Sequence, residues 1–270
     1  MATVAQTSRY GDPWTREELI LAFDLYCRIP FQKTKASNPE VKRLAALLGR
    51  TPASVARKLG NFGAFDPVLR AAQITGLVHT SKLDRKIWEE FHGDWSALVW
   101  EASKFRRSFE ERRGEPPVLR RPSGPSETFR LSKQRIHQTF FREAVMSSYD
   151  ETCCVTGLRI RECLIASHIV PWSIDEEHRA DPTNGLCLSS TFDRLFDAGL
   201  ITISADLRVR VAEVILRPKT PNTEELVGKY NGKPMIVPKR FMPSAKSSNG
   251  IGQMCLKDKN LRTRGEQLDE

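Results

Sequence analysis

Four polar side chains with the makings of a reactive site stand within thirty residues of one another in the second half of this 270-residue chain: His168, Asn184, Asp193 and Asp197. The run Leu164 to Val170 is apolar except near its end and reads as a strand that His168 closes and Pro171 stops. Asp181-Pro182-Thr183-Asn184-Gly185 is a strong turn signal, and Leu186-Cys187-Leu188 is a brief extended piece. Ser190 can cap a helix over 191–198, with Gly199 as its stop, and Leu200–Ile203 reads as a further strand. Asp193 and Asp197 are four apart and therefore share a helix face. Two carboxylates on one face, with a histidine opposite, can hold a divalent cation through hard oxygen ligands.

The segments around this site must position it. Val155-Thr156-Gly157 reads as a strand ending in a turn, and a helix over 129–148 leads in, with Phe140, Phe141, Ala144, Val145 and Tyr149 as its buried face. Further upstream the pattern is helical throughout. Leu19, Ile20, Phe23 and Tyr26 recur at helical spacing in a helix that starts near Thr15. Pro39 opens a second helix, Gly49 ends it, and Thr51-Pro52 opens a third. Helix, glycine turn and helix over 40–59 has the form of a helix-turn-helix. Leu83 to Phe109 continues as helix, and Ile87, Trp88, Phe91 and Trp95 read as core rather than as a base-stacking platform. From Arg106 the chain turns basic and Pro-rich, which predicts a linker over 106–128. The expected domains are thus 1–105, helical; 129–243, mixed; and a polar tail at 244–270 expected to be disordered.

Here the motifs become specific. Ala166-Ser167-His168-Ile169-Val170-Pro171-Trp172, then Asn184-Gly185-Leu186, then Phe192-Asp193-Arg194-Leu195-Phe196-Asp197-Ala198-Gly199-Leu200-Ile201 resemble an HNH endonuclease of the bacterial restriction and defence kind. Cys153-Cys154-Val155-Thr156-Gly157 resembles the usual opening of that domain, and the Pro234–Pro238 stretch with Arg240-Phe241 is similar to the tail such domains carry. The resemblance implies an α+β protein whose C-terminal domain is a ββα-metal fold of two strands and a helix around one metal ion. It implies that His168 is the general base, that Asn184 braces the loop aiming it, and that Asp193 binds the metal, with Asp197 as a second ligand. A histidine suits the first role because its ordinary pKa lies near 6.5. Two departures stand out: Ser167 occupies a position where many such proteins carry a metal-binding Asp, and Asp193 stands where the last His or Asn of the motif belongs. A carboxylate-based site favours Mg²⁺ or Mn²⁺ over zinc. Trp14-Thr15-Arg16-Glu17-Glu18-Leu19 and the stretch 44–59 are in turn similar to Myb-like DNA-binding helical domains, which makes Arg57 and Lys58 candidate DNA contacts.

Simpler roles remain open for the same residues. Asn184 suits the turn of an Asn-Gly pair. Asp193, three residues after Ser190, completes a capping box. Asp197 fits a solvent-facing position, and Arg194 fits either a scissile phosphate or an exposed helix face. His178 sits in a charged loop and reads as solvated. Cys153, Cys154, Cys163 and Cys187 lack the paired spacing of a zinc ribbon, so core packing accounts for them. The net charge of +9 points to a polyanionic partner, DNA in this reading. No apolar run reaches the roughly 20 residues of a membrane span, and Met1–Gly11 has no apolar signal region, so a cytoplasmic protein is expected. Cutting both strands with one site per chain implies a homodimer. The alternative is a non-catalytic DNA-binding regulator with a degenerate HNH fold.

Overall fold

The structure is a computed structural model, described for residues 11–74, 80–114, 126–171, 178–217 and 220–243. The expected tail at 244–270, Trp172 and residues 115–125 of the expected linker lie outside these residues. The described chain divides into two compact units: one running up to Ser147 and taking in 178–181, the other comprising the remainder from Ser148. Composition placed the boundary at 106–128; the compact units divide some twenty residues later.

The first unit is helical and is built around α1 (Arg16–Arg28). A reciprocal capping box between Thr15 and Glu18 starts this helix. Its apolar positions suggested one buried stripe, yet it is buried all round, with Leu19, Ile20, Leu21, Ala22 and Phe23 fully covered. The two carboxylates that an amphipathic helix would turn to water are paired inside. Glu18 receives the Arg50 guanidinium at 2.7 and 3.1 Å, and Asp24 receives Arg28 at 2.9 Å. Around α1 pack α2 (Pro39–Leu48) and α3 (Pro52–Gly63), joined by Gly49 in the left-handed conformation that ends α2. Asn38 and Thr51 cap the two helices, each with Pro at the first turn. After the short α4 (Pro67–Ala71) come α5 (Lys82–Phe91) and α6 (Trp95–Arg112). The single helix expected over 83–109 is broken at His92–Asp94, where Gly93 takes a φ of +113° and Asp94 caps α6. The sequence pattern could not show this break, because the apolar period resumes beyond it. Trp88, Phe91 and Trp95 are buried with Phe23 and Phe62, which makes them core. α6 also continues through the basic run to Arg112, since that stretch holds good helix formers and no Pro before 116. Helix α7 (Ser126–Ser148) belongs to this unit: Glu143 pairs with Arg28 at 2.8 Å, and the Ser147 hydroxyl donates to the Cys27 carbonyl. Among the described residues no helix is long and apolar enough to cross a membrane.

The second unit is a small mixed structure. β1 (Leu164–His168) pairs antiparallel with β2 (Gly185–Ser189), and α8 (Ser190–Asp197) runs directly from β2 and packs on both strands. β3 (Ile201–Ile203) and β4 (Val209–Val211) form a separate hairpin. Short helices α9 (Glu213–Leu216) and α10 (Pro221–Leu226) come next in the chain. The strand expected at Val155–Gly157 is instead a turn, closed by the Gly157 N–H to the Cys153 carbonyl, with Gly157 at φ +74°. The buried Cys153 sulfur accepts from the Thr156 and Ser189 N–H groups, so this turn grips the start of α8. The Cys154 N–H donates to the Cys187 carbonyl, and the Ile236 N–H donates to the Cys154 carbonyl. Cys153, Cys154 and Cys187 are fully covered.

Candidate nuclease site

The site is laid out by β1, the turn before β2, and α8. In β1, Leu164 and Ser167 are buried, whereas His168 at the strand end is half-buried and pairs in register with Gly185. Asn184, the residue before that glycine, is 3% exposed and faces the chain that leaves His168. Its side-chain carbonyl accepts the Val170 N–H at 2.8 Å, its amide N–H donates to the Val170 carbonyl at 3.1 Å, and its backbone carbonyl accepts the Ile169 N–H at 2.9 Å. Three bonds therefore fasten the two residues after His168 to one asparagine. The 3-10 turn Pro182–Asn184 brings that side chain to them.

Helix α8 is oriented by a phenylalanine pair. Phe192 and Phe196 are buried one turn apart, and Phe192 stands edge-on to Tyr230 at 5.3 Å. Each successive residue is rotated by about 100° on the helix, which carries Asp193 to a half-buried position and Asp197 to an exposed one. The expected capping box does not form: Ser189 is the cap residue, Ser190 is already helical, and no side chain caps the helix. Burial pushes the Asp193 carboxyl up, and the nearby Asp197 charge pushes it up further. Arg194, between them, is exposed. His178 is exposed too.

This donor set bears on a metal. Among the described residues no three His, Cys, Asp or Glu side chains gather into a cage. What is present is two carboxylates one turn apart on α8, the half-buried Asp193, raised chiefly by burial, and the exposed Asp197. Mg²⁺ is commonly held by one or two carboxylates, with water and substrate phosphate completing its shell. Asp193 and Asp197 fit that pattern.

Arg57 and Lys58, the candidates on α3, belong to the helical unit. Arg57 is exposed. Lys58 is not available as a surface cation: its ammonium donates to both oxygens of the buried Asp84 at 2.8 and 3.0 Å and lies 5.7 Å from the Trp14 ring centre. A lysine one residue from an exposed arginine is rotated toward the bundle, so its charge serves an internal pair.

Two antiparallel strands crossed by a helix, with a histidine at the strand end and a carboxylate on the helix, define a ββα arrangement. Residues 153–204 match the model of a family described as HNH endonuclease, and that segment is an HNH-family domain. No curated protein matches the chain.

Proposed function

We propose that the protein is a metal-dependent HNH endonuclease that hydrolyses phosphodiester bonds in DNA. The observation that carries this reading is the fastening of the His168 strand end by Asn184, within a segment of the HNH family. His168, half-buried at the strand end, takes a proton from the attacking water on an imidazole nitrogen. Asn184 fixes the backbone beyond it, which limits the positions the imidazole can adopt. Asp193 and Asp197 would hold the divalent ion, Mg²⁺ or Mn²⁺. The chemistry that ion supplies when bound is neutralisation of charge on the phosphoryl and leaving oxygens. The exposed Arg194 on the same helix is available to a phosphate.

In this reading the helical unit binds DNA. α2, the Gly49 turn and α3 are braced on α1, and α3 presents Arg57 outward. The net charge of +9 suits a polyanion. Two copies of the chain supply the two cuts of a duplex, and the setting is restriction or anti-phage defence in a bacterial cytoplasm.

Plasmid cleavage by the wild type and His168→Ala, across Mg²⁺, Mn²⁺ and a chelator, tests the proposal. The expected outcome is metal-dependent nicking or linearisation that falls by about 100- to 10,000-fold in the variant. A wild type that binds DNA but leaves it intact with every metal replaces the nuclease by a DNA-binding regulator.

A further inference from the structure

Positive charge gathers on one aromatic ring beside α8. Tyr230 is half-buried, with its ring edge-on at 5.3 Å to Phe192, the residue before Asp193. Two ammonium groups stand over that ring, Lys229 at 5.5 Å and Lys233 at 5.7 Å from its centre. A tight turn places the second of them. The Lys233 N–H donates to the Tyr230 carbonyl at 3.0 Å, and Gly232 takes the left-handed φ of +75° that a type II turn requires there. The turn is fastened to β4. The Gly232 N–H donates to the Val209 carbonyl, the Val209 N–H donates to the Lys233 carbonyl, and the Asn231 side-chain carbonyl accepts the Val211 N–H at 3.1 Å. The Arg208 guanidinium donates to the Gly232 carbonyl at 2.8 Å. A Cβ built on Gly232 meets nothing within 4 Å, so the outer side of the turn is open.

Arg208 and Arg210 are exposed on one face of β4, while Val209 and Val211 are buried on the other. Asp206 is shared by these two arginines at 3.3 and 3.7 Å, and Glu225 takes Lys229 at 2.6 Å. Among the described residues no carboxylate forms an ion pair with Lys233. Four exposed cations therefore have two carboxylate partners, and exposed pairs of this kind hold weakly. We propose that the turn at 229–233 is a phosphate-binding element that lays the DNA backbone against Tyr230, next to the helix that carries Asp193 and Asp197. The inference rests on the endonuclease reading and adds how the nuclease unit itself grips its substrate. An ammonium has three donors, so a lysine seated on a ring still has N–H groups to give to phosphate oxygens. Backbone contacts of this type fix the register of a duplex and carry no base sequence. Lysines that merely buttressed the turn through Tyr230 would affect stability and leave the salt dependence of DNA binding alone.

Fluorescence anisotropy of the full chain with a labelled DNA duplex, titrated over salt with a chelator present so that the duplex stays intact, tests this. The variants are Lys229→Met, Lys233→Met, their combination and Lys233→Arg. Methionine keeps an apolar stem on the ring and removes the charge. Each single methionine variant is expected to lower the slope of log affinity against log salt by about 1, and the combination by about 2. Binding weakens most at low salt, and the gap to wild type closes as salt rises. Lys233→Arg keeps the wild-type slope. Wild-type slopes in both single methionine variants overturn the proposal, as does a fall in slope that Lys233→Arg shares. A lysine dependence seen with duplex RNA and absent with duplex DNA overturns it too, as does a wild type that binds no duplex. Metal-dependent cleavage with lysine-independent slopes removes only this role of the turn. Lysine-dependent binding with no cleavage under any metal removes only the endonuclease reading and leaves the turn as a DNA contact.

Discussion

At the scale of single residues, Asn184 concentrates the most structural consequence in one side chain. It satisfies both the N–H and the carbonyl of Val170 from a position that is 3% exposed. Asn184→Ala leaves these two backbone groups without their partners, a cost of about 1–3 kcal/mol for a buried polar group. That cost falls on the loop after His168 and not on the sheet ladder. The expected result is a protein that still melts cooperatively but cleaves on the order of 100-fold more slowly, as small misplacements of a reacting group do. Hydrogen exchange at Ile169 and Val170, measured beside the cleavage rate, checks it: accelerated exchange accompanies the slower reaction. Cleavage at the wild-type rate despite faster exchange would detach the brace from the chemistry. An Asn-Gly pair before a strand announces a turn in any sequence; that this asparagine reaches back fourteen residues is settled by the pairing of β1 with β2.

At the scale of elements, the starts of the first three helices were readable near Thr15, Pro39 and Thr51, whereas the equally local cap at Asp94 was not. α8 shows the limit. Its span was evident from Ser190 and Gly199, yet the capping box open to Ser190 and Asp193 does not form, because the helix begins one residue earlier, with Ser189 as its cap residue. α5 offers a quantitative test. Asp84 belongs to the capping box with Ser81 and also receives Lys58 and Asn61. Burial pushes its carboxyl up, but the bonds from Lys58, the Ser81 N–H and Asn61 outweigh this and hold it below the usual range. A depressed carboxyl contributes stability that is present above the unfolded-state pKa, near 3.9, and is lost as pH falls through the folded-state value. Asp84→Asn is therefore expected to lower stability at pH 7 by about 2–3 kcal/mol, toward the low end for a broken buried pair because Lys58 reaches solvent. Urea unfolding from pH 7 to pH 3 checks the sign: the gap between wild type and variant narrows with acid. A gap that stays constant would mean that packing, not charge, sets it.

At the scale of the whole molecule, the charge balance and the two compact units bear on how DNA is engaged. If α3 meets DNA, Arg57→Ala weakens binding at every sequence and lowers the slope of log affinity against log salt by about 1. Lys58→Ala behaves differently, because its ammonium is committed to Asp84: it costs stability and leaves the salt slope alone. Fluorescence anisotropy of a labelled duplex at several salt concentrations separates the two. An unchanged slope for Arg57→Ala would move the DNA contact away from this helix.

The part of this protein legible in the amino-acid order is the part that rests on local chemistry. Strand, turn and helix around His168, Asn184 and Asp193 arise from short-range period, from Pro171 and Gly199, and from a motif compact enough to be read in one stretch. The aromatic positions of α1, α5 and α6 declared themselves as core in the same way. Packing between distant segments set the rest: that Glu18 and Asp24 lie inside α1's surroundings, that Lys58 turns to Asp84, that α7 joins the helical unit, and that Asn184 reaches Val170. In each case a polar group had several partners within reach of its chemistry. Which one it took depended on which elements packed beside it, and burial makes an unmatched polar group too costly to leave that choice open.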